Sequence, residues 1–166
     1  TSPVLRTVLP SGSETAGVFA QQLNRFENVA QITGENYGVW IGVSPSTATT
    51  ADGTPGLTGT FLNTGTIRAT RSNGFDGLRI GNVSGNAVVR NTALIEGAQF
   101  ASQAGVRFDA NSTITPIFEN SGNGVTTGIV TGSRGVDFRG DAIIRGVGTD
   151  INGNPNRLTG RIEGLR

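Results

Sequence analysis

The sequence predicts an all-β protein wound as a parallel β-solenoid of about five coils, and three observations predict it. A nine-residue pattern, apolar-x-Asn-x-small-x-Ile-x-small, recurs along the chain, in full register at Phe26–Gly34, Phe61–Ala69 and Val89–Gly97. A second pattern, Gly-apolar-x-large apolar, lies between the copies at Gly38–Ile41, Gly77–Ile80, Gly105–Phe108 and Gly135–Phe138. The composition agrees: 26 Gly, many Thr and Asn, and only 15% charged residues suit short strands joined by tight turns rather than sustained helix.

The two patterns advance together. Asn28, Asn63, Asn91 and Asn120 are separated by 35, 28 and 29 residues, and Gly38, Gly77, Gly105 and Gly135 by 39, 28 and 30. A repeat of this length is a unit that cannot bury its apolar face alone, so stacked units share one core. Looser copies of the first pattern open at Phe118, where a one-residue insertion brings Val125 to the Ile position, and at Phe138, where Gly140 replaces the Asn. A remnant at Leu158–Gly164 closes the chain.

In chain order, residues 1–25 match no repeat and read as an N-terminal cap or arm, leaving 26–166 as the solenoid domain. Pro3 and Pro10 bracket a short apolar stretch, which blocks helix and confines a strand there to an edge or an end, as a cap strand or an arm. Val18–Leu23 fits either a strand or one turn of helix over the open end of the column. The first coil carries a polar, Pro- and Gly-bearing insertion at 44–56, read as an exposed loop. The second turns at Ser72-Asn73-Gly74, the third ends at Pro116, and the fourth turns at Asn123-Gly124. Phe138, serving both patterns, shortens the last coils.

Alternation along a strand assigns the faces. Phe61, Asn63, Gly65 and Ile67 point inward, and Leu62, Thr64, Thr66 and Arg68 outward. Coils stack about 4.8 Å apart, so five of them form a column on the order of 25 Å long. The inner face becomes a ladder of Ile32, Ile67, Ile95, Ile144 and Ile162 beside Phe26, Phe61, Val89, Phe118 and Phe138. Val39, Leu78, Val106 and Val136 line a second wall. Each fully buried Ile or Phe contributes roughly 1.5–3 kcal/mol, so several coils together can offset chain entropy. Asn28, Asn63, Asn91 and Asn120 share the inward parity, and their amides escape a desolvation penalty by bonding to the coils above and below. Outside, Arg68 falls over Glu96, Arg107 over Asp137, and Arg145 near Glu163.

The chain has no Cys, His, Met or Lys, so all thirteen basic residues are Arg. That removes disulfides, thiolate metal sites and the common non-carboxylate general bases. The lack of Met gives the expectation of a processed product or a fragment. A formal net charge of +1 with no basic stripe argues against nucleic-acid binding, and no stretch reads as a membrane span. Asp109, Asp137 and Asp141 are the carboxylates an acid-cluster hydrolase or lyase would use, but they read more simply as solvated or paired charges. Asp150-x-Asn152-x-Asn154 alternates oxygen ligands as calcium loops do, yet Pro155 and Arg161 stand where that loop needs Gly and Glu. It reads as a turn, with a calcium site the lesser alternative. No cofactor and no enzyme activity are expected.

The phrases Asn63-Thr64-Gly65-Thr66-Ile67 and Gly77-Leu78-Arg79-Ile80-Gly81-Asn82 resemble the repeats of bacterial autotransporter passenger domains and haemagglutinin-like adhesins, over residues 26 to 166. The resemblance implies a right-handed β-helix, export to the cell surface or beyond, and an adhesive, matrix or fibre role. No β-barrel translocator accompanies the repeats, which leaves the secretion route open. The expected function is therefore an extracellular structural or adhesive subunit, self-associating head to tail, with glycans or cell surfaces as further partners. The alternatives are a carbohydrate-active β-helix, lyase or tailspike-like, and a fragment of a larger adhesin. Val4, Leu5, Val8 and Leu9 at one end, with Ile162 and Leu165 at the other, are the candidate assembly residues, since Ile162 holds a ladder position with no further coil over it.

Overall fold

A computed structural model describes residues 7–8, 15–42, 56–71, 75–84, 86–99, 103–109, 115–122, 128–138, 143–148, 152, 154, 156–157 and 159–164. Among them every regular element is a strand: β1 (Thr7–Val8), β2 (Thr15–Ala20), β3 (Leu23–Asn28), β4 (Gln31–Gly34), β5 (Tyr37–Ile41), β6 (Leu57–Asn63), β7 (Thr66–Ala69), β8 (Leu78–Ile80), β9 (Val88–Asn91), β10 (Leu94–Glu96), β11 (Ala104–Phe108), β12 (Ile117–Asn120), β13 (Ile129–Gly132), β14 (Arg134–Phe138), β15 (Ile143–Arg145) and β16 (Arg161–Gly164). The expected turns at 72–74 and 123–124, and all but the last residue of the 44–56 insertion, lie outside the described residues.

The strands form three sheets. The first runs β1-β2-β5-β8-β11-β14, the second β3-β6-β9-β12-β15 and the third β4-β7-β10-β13-β16. Pairing is parallel everywhere except between β1 and β2. Each coil thus supplies one strand to each sheet, and β2 to β16 make five coils of a parallel β-solenoid.

The inward faces meet along the axis. Phe61, Ile67, Leu78, Ile80, Ile95 and Val106 have no exposed surface, and Val39, Phe118 and Val130 join them in one continuous apolar core. Aromatic rings continue the stacking from coil to coil: Phe26 lies on Phe61 and Phe108 on Phe138, each at 4.9 Å between centroids. The glycine that opens the second pattern has a packing cause. A Cβ at Gly38 would sit 2.6 Å from Ile67 Cγ2, and one at Gly135 2.5 Å from Ile162 Cγ2. The third sheet's aliphatic ladder presses against the first sheet there, so only a residue without Cβ fits.

Four expectations are corrected. Ile144 leaves the Ile ladder: it pairs with Phe118 in the second sheet and is 45% exposed, while Val130, and not Val125, takes the place between Ile95 and Ile162. Phe138 pairs with Phe108 and belongs only to the second pattern, so the overlap that would shorten the last coils does not occur. Arg145 faces Glu119, not Glu163, because Arg145 and Glu163 lie on different sheets. Finally, the parallel stack reaches back to Thr15, ahead of Phe26: Gly17-Val18-Phe19-Ala20 is a copy of the second pattern, with Val18 beside Val39 and Ala20 beside Ile41.

Candidate functional site

Three features of the column can do chemistry or make contacts: the buried Asn row, the outer face of the first sheet, and the two terminal coils.

The Asn row forms because the second sheet turns into the third at the same point of every coil. Asn28 Nδ2 donates to Asn63 Oδ1 (2.8 Å), Asn63 to Asn91 (2.7 Å) and Asn91 to Asn120 (2.8 Å). The row closes on backbone at both ends, where Asn120 donates to the Gly128 carbonyl and Asn28 Oδ1 accepts from the Ala30 N–H. All four side chains are buried. Their amides are engaged with one another and with the turns, so the row holds coils together and offers no open amide edge to a ligand.

The outer face of the first sheet carries the column Phe19, Trp40, Arg79, Arg107, Asp137. Alternation puts these side chains away from the axis, yet Trp40 has no exposed surface. It is enclosed by Tyr37 (4.7 Å between centroids) and Phe19 (5.9 Å, edge-on), while Phe75 stacks on Tyr37 at 5.0 Å. The Arg79 guanidinium lies 5.0 Å over the Trp40 ring, and its Nη1 donates to the Tyr37 hydroxyl (3.2 Å). Trp40 Nε1 is buried with no acceptor in reach among the described residues.

Two arginines stacked on adjacent coils would repel, and three aspartates neutralise them. Asp109 takes Arg79 through two hydrogen bonds (3.0 and 3.3 Å). Asp137 takes Arg107 (3.2 Å) and Arg134 (3.3 Å), and Asp76 lies 3.4 Å from Arg107 Nη1. Burial works against the charge on Arg79, but Asp109, with Tyr37 and Asp76 behind it, holds its pKa above the ordinary value. Asp76 shows the opposite balance. Fully enclosed, its carboxyl is pushed up to about 6 by desolvation, although Arg107 and the Ala104 N–H (2.8 Å to Oδ1) pull the other way. Its Oδ2 is ion-paired but outside hydrogen-bond geometry. Asp76 therefore ties the third coil to the fourth with a carboxyl whose pKa burial has raised. Sequence reading placed Arg107 over Asp137 but missed Asp76, Tyr37 and Trp40 as a cluster; the one signal was a Trp at a position where the later coils carry Arg or Asp.

Of the three acids an enzyme reading would use, Asp109 and Asp137 are bound to arginine, and Asp141 lies outside the described residues, as does Asp150. Asn152 and Asn154 are exposed. No group of three or more potential metal-ligating residues occurs among the described residues.

At the terminal coils the core opens. Val18, Leu23, Phe26 and Ile32 in the first coil, and Val136, Phe138 and Ile162 in the fifth, are only partly buried, and Ile143 and Ile144 are 44% and 45% exposed. β1 runs antiparallel along β2 and covers one edge at the N-terminal end; β3 and β4 are the outermost strands of their sheets there. Val8 lies in β1, whereas Val4, Leu5, Leu9 and Leu165 fall outside the described residues.

No protein-family model, curated protein or solved structure matches the chain.

Proposed function

We propose that the protein is an extracellular structural or adhesive solenoid of a bacterial surface or matrix, acting as a subunit that stacks head to tail into a filament. The observation that carries this reading is the fifth coil. Its strands β14, β15 and β16 are each the outermost of their sheets, so their outer backbone groups have no strand partner among the described residues, and Ile143 and Ile144 stand exposed beside them. Parallel sheets are ordinarily covered, and an open edge next to apolar side chains is a template for another strand. A contact between unlike ends need not close, and so generates a fibre. The likeness of the repeats to those of exported adhesins favours a place outside the cell, where the long outer faces would meet glycans or cell surfaces.

Negative-stain electron microscopy and sedimentation of the full chain over a wide concentration range test this reading. Filaments or concentration-dependent linear oligomers are the expected result. A strict monomer at high concentration overturns it.

A further inference from the structure

We propose that the filament contact is a register-specific continuation of the coil stack, in which the first coil of one copy sits on the fifth coil of the next with Phe26 over Ile144, Glu27 over Arg145 and Ile32 over Ile162. This inference rests on the filament reading and says how the ends recognise each other.

The charge pattern of the second sheet carries it. Within the chain, the outward column runs Glu27, Leu62, Arg90, Glu119, Arg145. Glu119, with 1% of its side chain exposed, is clamped by Arg90 (2.6 Å) on one side and Arg145 (2.8 Å) on the other. The alternation of basic, acidic and basic ends on Arg145, which lies on the outermost strand, binds Glu119 through Nε and Nη2, and keeps 31% of its side chain exposed. The next residue in such a column should be an acid. Glu27 is the acid that the same stacking rule delivers from the first coil of another copy. Its partner within the chain is Arg25, at 3.4 Å; the Arg25 and Glu27 side chains are 77% and 44% exposed, a pair worth little on its own.

The apolar columns agree with that register. Phe26, Phe61, Val89, Phe118 and Ile144 form one inward column in the second sheet, and Phe26 and Ile144 are its two partly open ends. In the third sheet the same step puts Ile32 on Ile162, Gln31 on Arg161 and Thr33 on Glu163, with no like charges opposed. A slip of one residue would turn each apolar side chain outward and lose the Glu27–Arg145 match. In the first sheet β14 would take the edge of β2 now held by β1, whose pairing extends over only two residues.

The chain has no Cys, so the contact can be tested by pairwise cross-linking of single-cysteine variants of the 166-residue chain. Parallel neighbours stand about 4.8 Å apart, within reach of a disulfide. Mixing E27C with R145C under mild oxidation is expected to give a disulfide-linked species carrying one of each variant, whereas T60C, exposed on the second coil, mixed with R145C is not. Independently, E27R is expected to raise the concentration needed for assembly by about tenfold at low salt and by less at high salt, with an unchanged melting temperature; T60R should leave assembly alone. Filaments that form normally in E27R, together with no disulfide between the E27C and R145C variants, would overturn the register and leave the filament standing. A wild-type protein that never assembles would overturn both.

Discussion

Asn63 and Asn91, twenty-eight residues apart in sequence, meet through a single amide hydrogen bond of 2.7 Å from which water is fully excluded. Each is also bonded on its other side, so removing one strands two partners. Asn63→Ala should cost about 3 kcal/mol, because Asn28 Nδ2 loses its closest acceptor and Asn91 Oδ1 a donor while both remain buried. Asn28→Ala, at the end of the row, should cost less. Urea denaturation of the two variants checks the order; equal or negligible losses would mean that the row is not a cohesive element.

The two faces of β7 should respond oppositely to a charge. Ile67→Asp buries an unpartnered carboxylate in the core and should abolish cooperative unfolding, whereas Thr66→Asp, on the half-exposed face, should change stability by less than about 1 kcal/mol. Circular dichroism melts of both variants suffice. Similar melting curves would contradict the inward parity.

Gly38→Ala should destabilise by at least about 2 kcal/mol although Ala is the smallest chiral residue. The added methyl has nowhere to go: Ile67 Cγ2 is 2.6 Å and the Gly77 carbonyl oxygen 2.5 Å from its position. A melting temperature indistinguishable from wild type would show that the first and third sheets can separate there.

Asp76 should give the protein a pH dependence of unusual sign. Its folded pKa of about 6 lies above the ordinary 3.8, so between those values the folded state holds a proton that the unfolded chain has released. This carboxyl therefore lends stability at acid pH that is lost as pH rises through about 6, by an amount on the order of 3 kcal/mol. Arg107, Arg79 and the Ala104 N–H restrain the loss, and Asp109 adds to it. Asp76→Asn should remove the effect, so its stability relative to wild type should increase from about pH 4 to about pH 7.5. Parallel stability curves for the two proteins would refute it.

The fold was legible because stacking forces like residues into like places. Asn28, Asn63, Asn91 and Asn120 could be aligned by eye, and the row they form, the inward Phe61 and Ile67, and the Arg68–Glu96 and Arg107–Asp137 pairs are as the spacing predicted. What failed is the assignment of residues to sheets where corners vary in length. Phe138 suits either pattern by size, and reading it into the first pattern dragged Ile144 into the wrong ladder and left Val130 unrecognised. Gly17–Ala20 was missed because it ends on Ala where the other copies carry Ile or Phe. The cluster around Trp40 was illegible for a different reason. Outward parity ordinarily means solvent, and the burial of Trp40 depends on Tyr37, which opens β5 ahead of the repeated pattern, and on a cluster that Phe75 joins from the connection before β8.

The Asn row has a direction. Asn28, Asn63 and Asn91 each donate to the Asn of the next coil toward the fifth, while the backbone groups that close the row belong to the end residues' own coils. The amide dipoles of Asn28, Asn63 and Asn91 consequently point the same way in a buried interior, each polarising the next, with the positive end toward Asn120. The column is in this respect a small electret, and a copy turned end for end would present its neighbour with a reversed field.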